Sequence, residues 1–268
     1  MELYGIFGDP VAHSLSPVMH EAAYEELDVD ADYARFHVRE DRVEDAIHGA
    51  TALGVDGVNV TVPHKQAVAR SPSLDRSPEV DAIGAANTVD LNEMKCYNTD
   101  AAGFGRALRE DGFDPTGCDA LVLGAGGAAR AIVYELVESG ASVTVANRTV
   151  ERAELLAEEF DVSGAALEEV PGLISGVDLL VNATSVGMKE DRSPVDADVL
   201  HDGLTVFDAV YTPVRTRLLR DAADAGANTI DGAAMLVYQG AEALEIWMER
   251  SAPVDVMDEA LREALDGD

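Results

Sequence analysis

The chain has 268 residues, 47% of them hydrophobic, and carries 51 acidic against 19 basic side chains, for a formal charge of −32. It is long enough for two globular domains with a substantial core. The field of so acidic a surface repels nucleic acid and anionic membranes, so neither is expected as a partner.

Leu3 to Gly8 reads as a buried strand closed by Gly8-Asp-Pro10, and His13-Ser-Leu-Ser-Pro17 then leads into a helix reaching about Leu27. Ser16 suits an N-cap and Pro17 a first helical residue. Hydroxyls and free N–H groups at a helix start also suit a small carboxylate, so Ser14 and Ser16 have two readings. Asp32 to Val38 alternates as a second strand, Asp41 to Leu53 is amphipathic, and Val55 to Val62 is a third strand. Strand, helix, strand predicts a parallel sheet. The period of two puts Asn59 and Thr61 on one face and Val58, Val60 and Val62 on the other. Two polar side chains thus stand near a carboxyl end, where ligands of open α/β sheets bind. Pro63 ends this strand and brings His64 and Lys65 to the same edge. A lone lysine after a strand is ordinarily just solvent-exposed, but lysine otherwise occurs only at Lys95 and Lys189, so Lys65 has a second reading as one needed for its chemistry.

Ile83 to Val89 and Met94 to Asp100 carry the chain into a helix over Ala101 to Glu110. Asn87 and Asp100 follow apolar segments at apparent strand ends, and Asp100 is locally also a plausible N-cap. Next comes Ala120-Leu-Val-Leu-Gly124-Ala-Gly126-Gly127-Ala-Ala-Arg130, an apolar run, a glycine cluster and a helical pattern. Glycines there let the backbone approach a phosphate, and the opening N–H groups of the helix receive its charge. Helix and strand patterns then alternate: Ala128 to Glu138, Ala141 to Asn147, Val150 to Phe160, Val177 to Asn182 and Thr205 to Tyr211. This predicts a doubly wound, Rossmann-type sheet. Asp231-Gly232 marks a turn before a helix over Ala233 to Arg250, and a last helix covers Val254 to Leu265.

About 20 residues beyond such glycines an acidic residue normally meets the ribose of NAD. Here that place holds Asn147-Arg148-Thr149, with Arg152 one helical turn later. Two guanidinium groups and a hydroxyl suit a 2′-phosphate, which predicts NADP.

Cys96 and Cys118 fit neither a paired nor a metal-binding spacing, so a reducing compartment and no metal site are expected. No signal peptide, membrane-spanning run or low-complexity linker is visible, which predicts a cytoplasmic protein. The acids are interleaved with apolar patterns rather than gathered in one block, and read as a solvated surface. Such a surface suits the cytoplasm of a salt-accumulating halophile, because at 1 M salt the Debye length is roughly 3 Å and self-repulsion is screened.

Val11-Ala-His-Ser-Leu-Ser-Pro17, Asn59-Val-Thr-Val-Pro-His-Lys65, Gly84-Ala-Ala-Asn-Thr88, Asn98-Thr-Asp100, Gly124-Ala-Gly-Gly-Ala-Ala-Arg130, Asn147-Arg-Thr149, Asn182-Ala-Thr-Ser-Val-Gly-Met188 and Met235-Leu-Val-Tyr-Gln239 occur in this order over nearly the whole chain. Together they resemble the shikimate dehydrogenase family. The resemblance implies an α/β fold of two domains separated by a cleft. A substrate domain would cover residues 1–101 plus 237–268, and an NADP-binding Rossmann domain residues 102–236. It implies reversible NADPH-dependent reduction of 3-dehydroshikimate to shikimate, in aromatic amino-acid biosynthesis, and allows a homodimer.

By position, Ser14 and Ser16 would bind the substrate carboxylate, and Asn59, Thr61, Asn87, Asp100 and Gln239 the ring hydroxyls. Lys65 and Asp100 would form the catalytic pair, with Tyr211 near the substrate. Gly124, Ala125, Gly126, Gly127, Ala128, Asn147, Arg148, Thr149, Arg152, Thr184, Gly232 and Met235 would hold the cofactor. Hydride delivery to a carbonyl builds charge on oxygen, which a positioned ammonium meets with a proton. Ala101, Ala233 and Gly240 depart from the family pattern by small-for-small changes. An NAD-preferring quinate/shikimate dehydrogenase would have an acidic residue near 148. Methylene-tetrahydrofolate dehydrogenases would not explain Ser14, Ser16 and Asp100 together. A non-catalytic NADP-responsive regulatory module would have little use for the Lys65 and Asp100 pair.

Overall fold

A computed structural model describes residues 1–267. The chain forms two compact units, Met1–Gly103 with Val237–Asp268, and Phe104–Leu236.

The first unit holds β1 (Glu2–Gly8), α1 (Ser16–Glu26), β2 (Ala31–His37), α2 (Val43–Ala52), β3 (Gly57–Val60), α3 (Lys65–Ala69), β4 (Asp75–Arg76), α4 (Pro78–Ile83), β5 (Thr88–Asp90) and β6 (Lys95–Tyr97). It then enters α5 (Thr99–Glu110). Its sheet runs β2-β1-β3-β5-β6-β4. β1 pairs in parallel with both β2 and β3, as strand–helix–strand units require. β3–β5 and β5–β6 are antiparallel, so the sheet is mixed rather than wholly parallel. A short connection explains the second pairing, because a tight turn between β5 and β6 can only reverse the chain. Val58, Val60 and Val89 pack with Phe7 and Ile47 in the core beneath. β3 stops at Val60, two residues earlier than the alternation predicts, and Val62 is 67% exposed instead of sharing that core.

The second unit holds β7 (Asp119–Leu123), α6 (Gly127–Glu138), β8 (Ser142–Asn147), α7 (Val150–Phe160), β9 (Ser163–Ala166), α8 (Val170–Leu173), β10 (Leu179–Asn182), β11 (Thr205–Asp208), α9 (Arg217–Asp224) and β12 (Asn228–Ile230). α10 (Gly232–Met248) follows and α11 (Val254–Asp266) ends the chain. The sheet order is β12-β11-β10-β7-β8-β9, and every pairing is parallel. This is the doubly wound arrangement, with the order reversing between β7 and β10. Leu121, Leu123, Leu180 and Val206 are buried and form the middle of the core, as expected for strands covered on both faces. The sequence pattern misses β9, α8, α9 and β12. Their apolar runs are short: Ser163–Ala166 has small side chains only, and Asn228–Ile230 buries one residue.

Among the described residues no helix is long and apolar enough to cross a membrane, and no cluster of side chains could hold a metal ion.

Candidate active site

In the first unit, the segments after β1 and β3 bring polar groups to the carboxyl ends of neighbouring parallel strands. Ser16 is the first residue of α1 and Pro17 the second, so the cap position belongs to Leu15 and no side chain caps this helix. Ser16 therefore does not serve as the N-cap that its local sequence suggests. Its hydroxyl accepts instead from Ser14 Oγ at 3.2 Å, and Arg35 pins this loop with two hydrogen bonds to the Ser14 carbonyl at 3.0 and 2.7 Å. Thr61 is half-buried just past β3.

Lys65 opens α3, and its Nζ donates to Asp100 Oδ2 at 2.5 Å. The side chains are 19% and 8% exposed, so water screens this pair little. Asp100 lies inside the first turn of α5 rather than capping it; Asn98 Oδ1 accepts from the Ala101 N–H instead. The other carboxylate oxygen of Asp100 accepts from Asn87 Nδ2 at 2.9 Å, and that amide also donates to Gln239 Oε1 at 3.2 Å. Thr99 closes the network by donating its N–H to Asn87 Oδ1 at 2.7 Å. Lys65, Asn87, Asp100 and Gln239, from four separate stretches of chain, thus form one connected cluster.

Asn59 is 3% exposed and accepts from the Tyr33 hydroxyl at 2.7 Å, while its amide donates to Thr88 Oγ1 at 3.1 Å. Tyr33, Arg35 and Thr99 are members of this site that sequence reasoning did not single out. Their positions follow from strand pairing, with Tyr33 opposite Tyr4 and Arg35 opposite Ile6 on β1. His64 turns away from the cluster, with Nε2 on the Val38 carbonyl at 2.7 Å.

In the second unit, β7 ends in the glycine turn. Gly124 has φ +116, and a Cβ there would lie 2.9 Å from the Ala183 carbonyl oxygen, so a side chain is excluded on both grounds. Nothing lies within 4 Å of a Cβ placed on Gly126, and no side chain caps α6, which starts at Gly127. The first N–H groups of that helix are thus left for an anion lying over an open backbone. At the end of β8, Asn147 Nδ2 donates to the Thr149 carbonyl at 2.9 Å and shapes the turn into α7. Arg148, Thr149 and Arg152 are exposed, and neither arginine takes part in an ion pair among the described residues. Two uncommitted guanidinium groups in so acidic a chain fit a phosphate bound at the edge of this turn.

Past β10, the Thr184 N–H and hydroxyl both donate to Asn182 Oδ1, at 3.1 and 2.7 Å. Tyr211 lies beyond β11, where burial raises its pKa. Gly232 opens α10, and a Cβ on it would meet the Ala209 carbonyl carbon and oxygen at 2.7 Å. Met235 is buried one turn later.

Residues 6–89 match the shikimate dehydrogenase substrate binding domain, residues 108–189 the shikimate / quinate 5-dehydrogenase description, and residues 232–262 the shikimate 5′-dehydrogenase C-terminal domain. A shikimate dehydrogenase (NADP(+)) of Haloarcula marismortui is 52% identical over 99% of this chain and 100% of its own length. The chain belongs to the shikimate dehydrogenase family. A second shikimate dehydrogenase (NADP(+)), from Natronomonas pharaonis, is 51% identical over 99% of this chain and all of its own. Among solved shikimate dehydrogenases, that of Thermus thermophilus in complex with NADP(H) and shikimate superposes with a TM-score of 0.92 at 40% identity, covering 99% of this chain and 100% of its own.

Proposed function

We propose that this chain catalyses the reversible NADPH-dependent reduction of 3-dehydroshikimate to shikimate, a step toward the aromatic amino acids. The observation that carries the reading is the buried Lys65–Asp100 pair, tied at 2.9 Å to Asn87 and through it to Gln239. NADPH, when bound, supplies the hydride.

The residues of the chain supply the rest. Hydride arrival turns a ring carbonyl into an alkoxide, and Lys65 Nζ is the proton donor that meets it. Asp100 accepts one hydrogen bond from that ammonium and one from the Asn87 amide, so the lysine is held in one direction. In oxidation Lys65 receives the proton. Asn59, Thr61, Asn87, Asp100 and Gln239 orient the ring hydroxyls, Ser14 and Ser16 bind the carboxylate, and Tyr211 borders the substrate. Ser14 and Ser16 supply two hydroxyls on a loop that Arg35 clamps, so an anion there meets donors carried on a fixed backbone.

For the cofactor, Gly124, Ala125, Gly126, Gly127 and Ala128 would hold the pyrophosphate. Asn147, Arg148, Thr149 and Arg152 would take the 2′-phosphate, and Thr184, Gly232 and Met235 would lie toward the nicotinamide end. The same reading places the enzyme in the cytoplasm, and its acidic surface is supported there by haloarchaeal relatives.

Initial rates with shikimate or quinate, each with NADP+ or NAD+, in molar KCl test the proposal. Shikimate with NADP+ is expected to be the fastest combination. No turnover of shikimate, or faster turnover with quinate and NAD+, overturns it.

A further inference from the structure

Of the residues proposed for the nicotinamide end, Thr184 follows β10 while Gly232 and Met235 stand on α10, and one buried carboxylate lies between the two segments. Asp208, the last residue of β11, is fully buried. Its Oδ1 accepts from Asn182 Nδ2 at 2.8 Å and from the Val210 N–H at 3.1 Å, and its Oδ2 accepts from Thr216 Oγ1 at 2.6 Å. No cation pairs with it among the described residues. Burial raises its pKa while these three donors pull it back. A buried carboxylate without a counter-ion is a costly way to hold a sheet together, since apolar packing does this with less desolvation.

Each donor starts a different segment. Asn182 ends β10, and its Oδ1 takes both protons that Thr184 can give, while Thr184 Oγ1 accepts from the Val186 N–H at 3.1 Å. Val210 precedes Tyr211. Thr216 caps α9, where its hydroxyl accepts from the Leu219 N–H at 3.3 Å. Gly232 rests on the backbone of Asp208 and Ala209, where an added Cβ would lie 2.7–2.8 Å from their atoms. β10 and β11 belong to the half of the sheet opposite β8 and Arg148, which is the half that faces the second nucleotide of a dinucleotide.

We infer that Asp208 is the positioning residue of the nicotinamide end of the cofactor site. Through Asn182 it sets the place of the Thr184 hydroxyl, and through the Val210 N–H it sets the Ala209–Tyr211 turn on which Gly232 sits. The inference rests on the reading of this unit as an NADP site.

Full-length Asp208→Ala, Asp208→Asn and Thr216→Val proteins decide it, by NADPH fluorescence titration without substrate and by steady-state rates with shikimate. Asp208→Ala is expected to raise the NADPH Kd and the NADP+ KM about tenfold, the scale on which outer-shell partners act, with the shikimate KM within about twofold. Asp208→Asn keeps an oxygen for Asn182 and Val210 and can donate to Thr216, so it is expected to recover to within about threefold of wild type. An Asp208→Ala protein that binds NADPH like wild type, or that loses shikimate and NADP+ equally, overturns the inference. Should Asp208→Ala not fold, Thr216→Val removes one donor only. A rise in its NADPH Kd of about threefold at unchanged shikimate KM supports the assignment, and an unchanged Kd overturns it. A wild-type protein that binds NADPH but does not turn over shikimate defeats the proposed reaction and leaves the binding test intact.

Discussion

At the scale of single residues, the proposed chemistry concentrates on Lys65. Its ammonium is held by one carboxylate in a place where few competing waters reach, so in the proposed reaction its loss removes the proton donor while Asn87, Thr99 and Asp100 stay bonded to one another. Lys65→Ala is expected to lower kcat by roughly 10²–10⁴-fold with shikimate still binding. Near-normal turnover by that variant would remove Lys65 from catalysis.

His20 is the converse case, a residue the sequence pattern does not single out and burial makes conspicuous. It is fully buried and stacked on Tyr33 at 4.5 Å, with no hydrogen-bond partner in range for either ring nitrogen. Burial lowers its pKa to about 3, with the nearby Asn59 amide acting weakly the other way. A folded-state pKa below the unfolded value means that the unfolded chain binds the extra proton between about pH 6.5 and 3. Folding stability is therefore lost as pH falls through that window, by about 1.4 kcal/mol per unit from this one group. His20→Phe is expected to flatten the difference between urea midpoints at pH 7 and pH 5 relative to wild type. An unchanged pH dependence would show that His20 is not buried neutral.

At the scale of elements, the glycine turn and the start of α10 have different reasons for lacking side chains. Gly124 needs a positive φ, whereas Gly232 needs room against the backbone of Ala209. Backbone atoms cannot swing aside as a side chain can, so Gly232→Ala is expected to cost about 1–3 kcal/mol and to raise the NADP+ KM. Equilibrium unfolding in urea together with cofactor titration checks both, and wild-type values in both would disprove the close packing. The strand–turn–helix unit around Gly124 was legible in the sequence because its signals are local: an apolar run, glycines, then a helical period. The ends of β3, α1 and α5 were not. β3 ends where its ladders with β1 and β5 end, at Val60 and Asn59, and Ser16 and Asp100 lie inside helices whose starting points depend on neighbouring segments rather than on their own capping tendency.

At the scale of the whole molecule, the charge of −32 is the dominant long-range term. Many cations are already spent on ion pairs, among them exposed ones such as Arg192–Glu190 and Arg262–Asp258, which contribute little each. Folding therefore compresses a large net charge, and screening should favour the folded state: the Debye length shrinks from about 10 Å at 0.1 M to about 3 Å at 1 M salt. The thermal midpoint is expected to rise from 0.1 M to 2 M KCl, and to do so also in the presence of saturating NADP+. A midpoint independent of salt would sink this account.

Composition, period and motif order were sufficient for the α/β class, the strand–glycine turn–helix unit and the family to which the chain belongs. All of these rest on residues close together in the chain or on the order of blocks along it. Only the tertiary structure decided that Lys65, Asn87, Asp100 and Gln239 share one hydrogen-bonded cluster, that Tyr33 and Arg35 brace Asn59 and Ser14, and that Asp208 gathers three loops. The contacts of the cluster and of the two braces join residues from 13 to 152 positions apart, and no local pattern encodes them. They are created by strand register and by burial, which makes an unpaired polar group costly and so forces distant partners together.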